Sequence, residues 1–65
     1  MTGVIARKME KGFGFITPAE GGKDIFFHSN SLVGVSFDEL REGETVSFET
    51  EDTEKGKNAV NVSRA

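Results

Sequence analysis

Asp24-Ile25-Phe26-Phe27-His28 is a short stretch whose two faces, read as a strand, differ in kind. Alternation puts Asp24, Phe26 and His28 on one face and Ile25 and Phe27 on the other. Earlier in the chain, Lys11-Gly12-Phe13-Gly14-Phe15-Ile16 alternates in the same way. Phe13 and Phe15 project to one side, and Gly12, Gly14 and Ile16 to the other. Taken alone, this hexapeptide reads equally well as a core strand with two buried rings. Antiparallel pairing with the Asp24 stretch removes that ambiguity. Ile16 and Ile25 then share an inner face with Phe27, while Phe13, Phe15, Phe26 and His28 share the outer one. A chain of 65 residues is too small to fill both faces. The set accompanied by His28, Asp24 and nearby Lys11 is the more polar, so it is assigned to solvent. Four rings displayed together mark a binding surface.

The rest of the chain frames these two strands. Val4 to Met9 reads as a first strand with Ile5 in the core, and with Arg7 and Lys8 solvated at one end of the sheet. Met9-Glu10 is short enough to close a hairpin into the hexapeptide. Pro18 ends the second strand because it cannot donate to a ladder, and Ala19-Glu20-Gly21-Gly22 turns the chain toward a third strand over Lys23 to His28. Ser29 to Val35 lacks alternation and reads as a turn, with Leu32 or Val33 tucked under the sheet. Phe37 has two readings, a plug closing one end of the core or a ring at the rim of the binding face. Leu40 and Gly43 frame another turn. Glu44 to Thr50 is a strand with Val46 and Phe48 inward and Ser47 and Glu49 outward. Residues 51–57 read as a charged loop, and Asn58 to Ser63 as a last strand with Val60 and Val62 inward. Five short strands without a long helix predict a small closed barrel, which also removes exposed sheet edges.

Composition sets the outer limits. The chain has no cysteine, so a disulfide or thiolate metal site is not expected, and a cytoplasmic setting follows. No apolar run approaches the ~20 residues of a membrane span, and Met1-Thr2-Gly3 leads straight into patterned sequence without a signal peptide. A net charge of −3 argues at first against a polyanionic partner. Its distribution answers the objection: residues 1–37 carry four Lys/Arg against three acids, and residues 38–65 carry four against eight. With a single histidine, neither a Cys–His pair nor a multi-His metal site can be assembled. No nucleophile-elbow pattern is present, and Gly12-Phe13-Gly14 does not continue into a phosphate-binding loop. Neither an enzyme, nor a small-molecule substrate, nor a cofactor is expected.

Single-stranded nucleic-acid binding accounts for the remaining features together. Bases stack on aromatic faces at roughly 1–3 kcal/mol each, whatever their sequence. Phe13 and Phe15 stand two strand residues apart, about 6.6 Å, which suits a stretched single strand. The intervening glycines would keep the sheet surface low enough for that strand to approach. Lys11, Arg7 and Lys8 are candidates for phosphate, and His28 for stacking or hydrogen bonding. The other reading of the same surface is a barrel that grips a protein partner.

The pair Lys11–Ile16 and Asp24–His28 resembles the two ribonucleoprotein motifs of the bacterial cold-shock domain. The hexapeptide also overlaps the RNA-recognition-motif consensus, but that fold places the motifs in the opposite order and needs two crossover helices. The resemblance extends to Phe37, the Leu40-Arg41-Glu42-Gly43 turn, Val46-Ser47-Phe48-Glu49 and Ala59-Val60-Asn61-Val62. It implies a single all-β domain over residues 1–65, a five-stranded antiparallel Greek-key barrel of the oligonucleotide-binding type. It also implies a monomer that binds single-stranded RNA and DNA, often pyrimidine-rich, and melts RNA secondary structure. Carried over by position, Lys11, Phe13, Phe15, Asp24, Phe26, His28 and Phe37 match binding-face residues, and Lys55 a basic loop position. Two departures stand out. The family's first strand usually carries Trp-Phe-Asn, where this chain has Arg7-Lys8-Met9 and is one residue shorter. An aromatic often follows the histidine, where this chain has Ser29. The loss of two or three stacking platforms, roughly 2–9 kcal/mol gross, predicts shorter and weaker binding with more electrostatic character.

Overall fold

Ile16 lies directly opposite Ile25, and Phe15 opposite Phe26, in the computed structural model, which describes residues 1–54 and 56–65. The five strands are β1 (Thr2–Met9), β2 (Phe13–Pro18), β3 (Ile25–His28), β4 (Thr45–Thr53) and β5 (Gly56–Arg64). They close into a barrel in the order β1-β2-β3-β5-β4. All neighbours are antiparallel except β3 and β5, which meet in parallel at Phe26 and Asn58. Two single-turn 3-10 helices, Ser29–Ser31 and Phe37–Glu39, interrupt the long connection between β3 and β4. Among the described residues, no helix is long and apolar enough to cross a membrane.

The inner face is the one that carries Ile16, Ile25 and Phe27. Ile5, Ile16, Ile25, Phe27, Val46 and Phe48 are buried, joined by Leu40, Ala59 and Val62. Leu32 packs against this core, whereas Val33 is 53% exposed, which settles the choice between them. Phe37 also packs on the core, its ring centroid 6.1 Å from that of Phe27.

Two bulges explain where simple alternation misplaces residues. In β1, Ile5 pairs with Ile16 but Arg7 pairs with Phe15, so Ala6 is an extra residue. The insertion reverses the parity of the strand beyond it. In β5, Glu49 pairs with Val60 but Ser47 with Ser63, so Asn61 and Val62 together oppose Phe48. Asn61 takes the left-handed conformation, φ 52°, which asparagine tolerates better than most side chains. Ala59 and Val62 therefore point inward, and Val60, expected inside, is only half-buried.

Other expectations are corrected at the strand ends. β1 begins at Thr2, two residues before Val4. Residues 51–57 are not a loop over most of their length, because the ladder runs on to Thr53 opposite Gly56. The Thr53 hydroxyl donates to the Gly56 carbonyl at 2.7 Å across that end. Gly12 lies in the β1–β2 turn at φ 95°, not in the strand. Asp24 precedes β3 and is not part of it. Gly14 does face inward, but it does not lower the outer surface: a Cβ there would meet the Arg7 carbonyl and the Phe27 ring. It makes room for a core ring beneath the sheet.

Candidate nucleic-acid interface

The outer face of β2 and β3 carries the aromatic cluster. Phe13 lies opposite His28 and Phe15 opposite Phe26, so all four side chains stand on one side of the ladder. Phe13 and Phe26 stack with centroids 5.5 Å apart and planes at 30°. Phe15 meets both edge-on, at 6.4 Å from Phe13 and 5.9 Å from Phe26. The three phenyl rings shield one another and are half-buried, while His28 is exposed. Such edge and offset contacts hold rings at fixed angles, giving a preorganised surface.

His28 is oriented from behind. Its Nδ1 accepts from the Asn30 backbone N–H at 3.1 Å, capping the turn that follows β3. A neutral imidazole with Nδ1 so engaged carries its hydrogen on Nε2, leaving Nε2–H as the free donor.

The β1 bulge decides which first-strand side chains join this face. Because Arg7 pairs with Phe15 and Met9 with Phe13, both share the aromatic side. Lys8 pairs with buried Gly14 and so turns toward the barrel end. Its Nζ donates to the Leu40 carbonyl at 2.6 Å and lies 4.9 Å from the Phe37 ring centroid. Arg7 and Lys8, expected side by side, thus diverge. Lys11 is exposed in the β1–β2 turn. Among the described residues the ion pairs involve Arg64 with Glu39 and Glu44, so Arg7 and Lys11 hold no carboxylate partner.

Beyond the rings, an open groove continues, lined by Phe15 and Phe26 together with Thr50, Thr53, Lys57 and Asn58. Asp24 and Lys23 also line it, and Asp24 Oδ1 accepts from the Thr17 hydroxyl at 2.7 Å. The assignment made for Lys55 lies outside the described residues. Phe37 stands apart from the ring cluster, packed on Phe27 and half-buried under Lys8, so it plugs the barrel end while keeping one edge accessible.

Met9, Lys23, Lys57 and Asn58 were not singled out as site residues from the sequence. Met9 required knowledge of the bulge. Lys57 and Asn58 reach the face only through the parallel β3–β5 closure, which leaves no local signal. Lys23 adjoins Asp24 in sequence, and that proximity was the available hint.

Comparison with known proteins follows the same geometry. A model of the "'Cold-shock' DNA-binding domain" matches residues 1–65. Cold shock-like protein CspC of Escherichia coli K12 is 56% identical over 52 residues, covering 80% of this chain and 75% of that protein. Cold shock-like protein CspB of Yersinia pestis is 50% identical over 52 residues, covering 80% of this chain and 74% of its own length. Among solved structures, drosophila Unr CSD456 superimposes with a TM-score of 0.81 at 26% identity. That alignment covers 98% of this chain but only 26% of the longer one.

Proposed function

Because this chain belongs to the cold-shock DNA-binding domain family, we propose that it binds single-stranded RNA and DNA by stacking bases on Phe13, Phe15, Phe26 and His28. The observation that carries this reading is the ring cluster left outside a core that is already filled: three phenyl groups and an imidazole stand on the outer face, while Phe27, Phe48 and the aliphatic side chains pack within. Stacking at roughly 1–3 kcal/mol per base gives about 4–12 kcal/mol gross for four platforms. The rings cover one another, so the lower part of that range applies. Micromolar binding needs about 8 kcal/mol, so phosphate contacts must contribute. Arg7 and Lys11 supply them, with Lys55 as a further cation assigned from sequence. Asp24, with one oxygen held by Thr17, offers the other to amino groups on base edges. Phe37 serves as a further platform at the far end of the track.

A face that accepts only unpaired bases competes with RNA secondary structure, which supports a role as an RNA chaperone or a regulator of transcription or translation. We place this activity in the cytoplasm, in a single monomeric domain with a preference for pyrimidine-rich strands. Catalysis is not part of the reading, since the chain offers one histidine and no cysteine. The test is anisotropy of a labelled oligo-pyrimidine titrated at low salt, because the chain has neither Trp nor Tyr for intrinsic quenching. Saturable binding that weakens with salt is expected; no binding at low salt would refute the proposal.

A further inference from the structure

We propose that Lys8 is a positioning residue for Phe37 and not a phosphate contact, so that it governs how far along the face a strand is gripped. The inference rests on the reading of Phe37 as a stacking platform. Its geometric basis is independent of that reading.

The bulge at Ala6 sends Lys8 away from the aromatic face, onto the side of buried Gly14. There the residue makes three contacts with the segment that carries Phe37. Its ammonium donates to the Leu40 carbonyl at 2.6 Å. The same nitrogen lies over the Phe37 ring, 4.9 Å from the centroid, within the range of a cation–π contact. Its backbone N–H donates to Glu42 Oε2 at 3.1 Å. Phe37 is thereby held between the Lys8 ammonium and the core ring of Phe27.

The far side of the segment is fastened separately. Glu39 Oε1 accepts from the Ser36 hydroxyl at 2.9 Å and the Ser36 N–H at 3.3 Å. Arg64 donates to the Glu39 carbonyl at 2.7 Å and pairs with the carboxylates of Glu39 and Glu44. Lys8 is the contact that bears on the ring itself. The bond to the Leu40 carbonyl anchors the half-buried Lys8 ammonium at the barrel end, away from the ring cluster, whereas Arg7 is exposed on the aromatic side and unpaired among the described residues. Fixing Phe37 in advance reduces the ordering cost of binding a strand that reaches it.

A double-mutant cycle on the full chain tests this, using Lys8→Met, Phe37→Ala and both, with fluorescein-labelled heptathymidylate as the probe. Met keeps the unbranched stem over the ring and removes the charge and the donor. With Phe37 present, Lys8→Met is expected to weaken binding about two- to tenfold, in line with couplings between contacting residues. With Phe37→Ala it should have no further effect, and the salt slope should stay unchanged in both backgrounds. Equal factors in both backgrounds, or a slope shallower by about 0.7 as for one lost phosphate contact, would overturn the proposal. So would the absence of any effect. Amide exchange of Leu40, whose N–H donates to the Phe37 carbonyl at 3.2 Å, reports the clasp without nucleic acid. It should accelerate in Lys8→Met while β2 and β3 amides keep their protection; unchanged exchange at Leu40 refutes the clasp. Failure of the unmutated protein to bind the probe would instead sink the nucleic-acid reading and leave this second measurement to decide about Lys8.

Discussion

Gly14 and Phe15 are adjacent, and each is needed for what lies on its own side of the sheet. A Cβ on Gly14 would come within 2.9 Å of the Phe27 ring as well as striking the Arg7 carbonyl. Gly14→Ala should therefore destabilise the barrel by about 1–3 kcal/mol, the usual cost of overpacking a core, measured by urea denaturation. Phe15 has the opposite signature. Its ring is half-buried against Phe13 and Phe26 and contributes nothing to the inner core. Phe15→Ala should weaken binding of a labelled oligo-pyrimidine by about 1–3 kcal/mol while the dispersion of the amide spectrum persists. Loss of the fold would mean that the ring is structural. Alternation in Lys11–Ile16 puts Gly14 and Phe15 on opposite faces, and pairing with Asp24–His28 decides which face is inner. It could not show what Gly14 touches, since Phe27 belongs to another strand, and so it misread the glycine as serving the outer surface.

The elements illustrate where a period-two reading stops working. β2 and β3 are regular, and their faces follow from alternation alone. β1 and β5 each contain a bulge, and beyond it the parity reverses. That is why Val60 was expected inside and why Arg7 and Lys8 were not told apart. Ala6 carries no sequence signal for a bulge; Asn61, an asparagine at φ 52°, offers a weak one. The 3-10 turn Phe37–Glu39 makes a separate prediction. Hydrogen bonds from the Ser36 side chain and backbone, with Arg64 nearby, hold the Glu39 carboxyl below its ordinary value of 4.5. A depressed carboxylate contributes stability that is present above the ordinary value and lost as pH falls through the folded one. The turn carrying Phe37 should thus loosen only below pH 4.5. Chemical shifts of Ser36 and Phe37 amides followed through acid titration should show this step, and Glu39→Gln should abolish it.

At the scale of the whole molecule, charge is sorted by the barrel order. β4, with Glu49, Glu51 and Asp52, is flanked by β1 and β5 and pairs with neither β2 nor β3. The uneven charge along the sequence foreshadowed this, but the distance between acidic strand and aromatic face depends on closure, which no local pattern encodes. A negatively charged protein can then offer a polyanion one favourable face. With Arg7, Lys11 and one or two of the groove lysines in contact, log K should fall against log salt with a slope of roughly −2 to −3 at about 0.7 per phosphate. A slope near zero would mean that these cations make no phosphate contacts. The most direct test of the central claim is a chemical-shift map of the backbone and aromatic resonances on titration with oligothymidylate. The account predicts that perturbations concentrate on Phe13, Phe15, Phe26, His28 and Arg7, with upfield ring shifts from stacked bases. Perturbations centred on β4 and the Arg64 end, with the three phenyl rings unmoved, would contradict it.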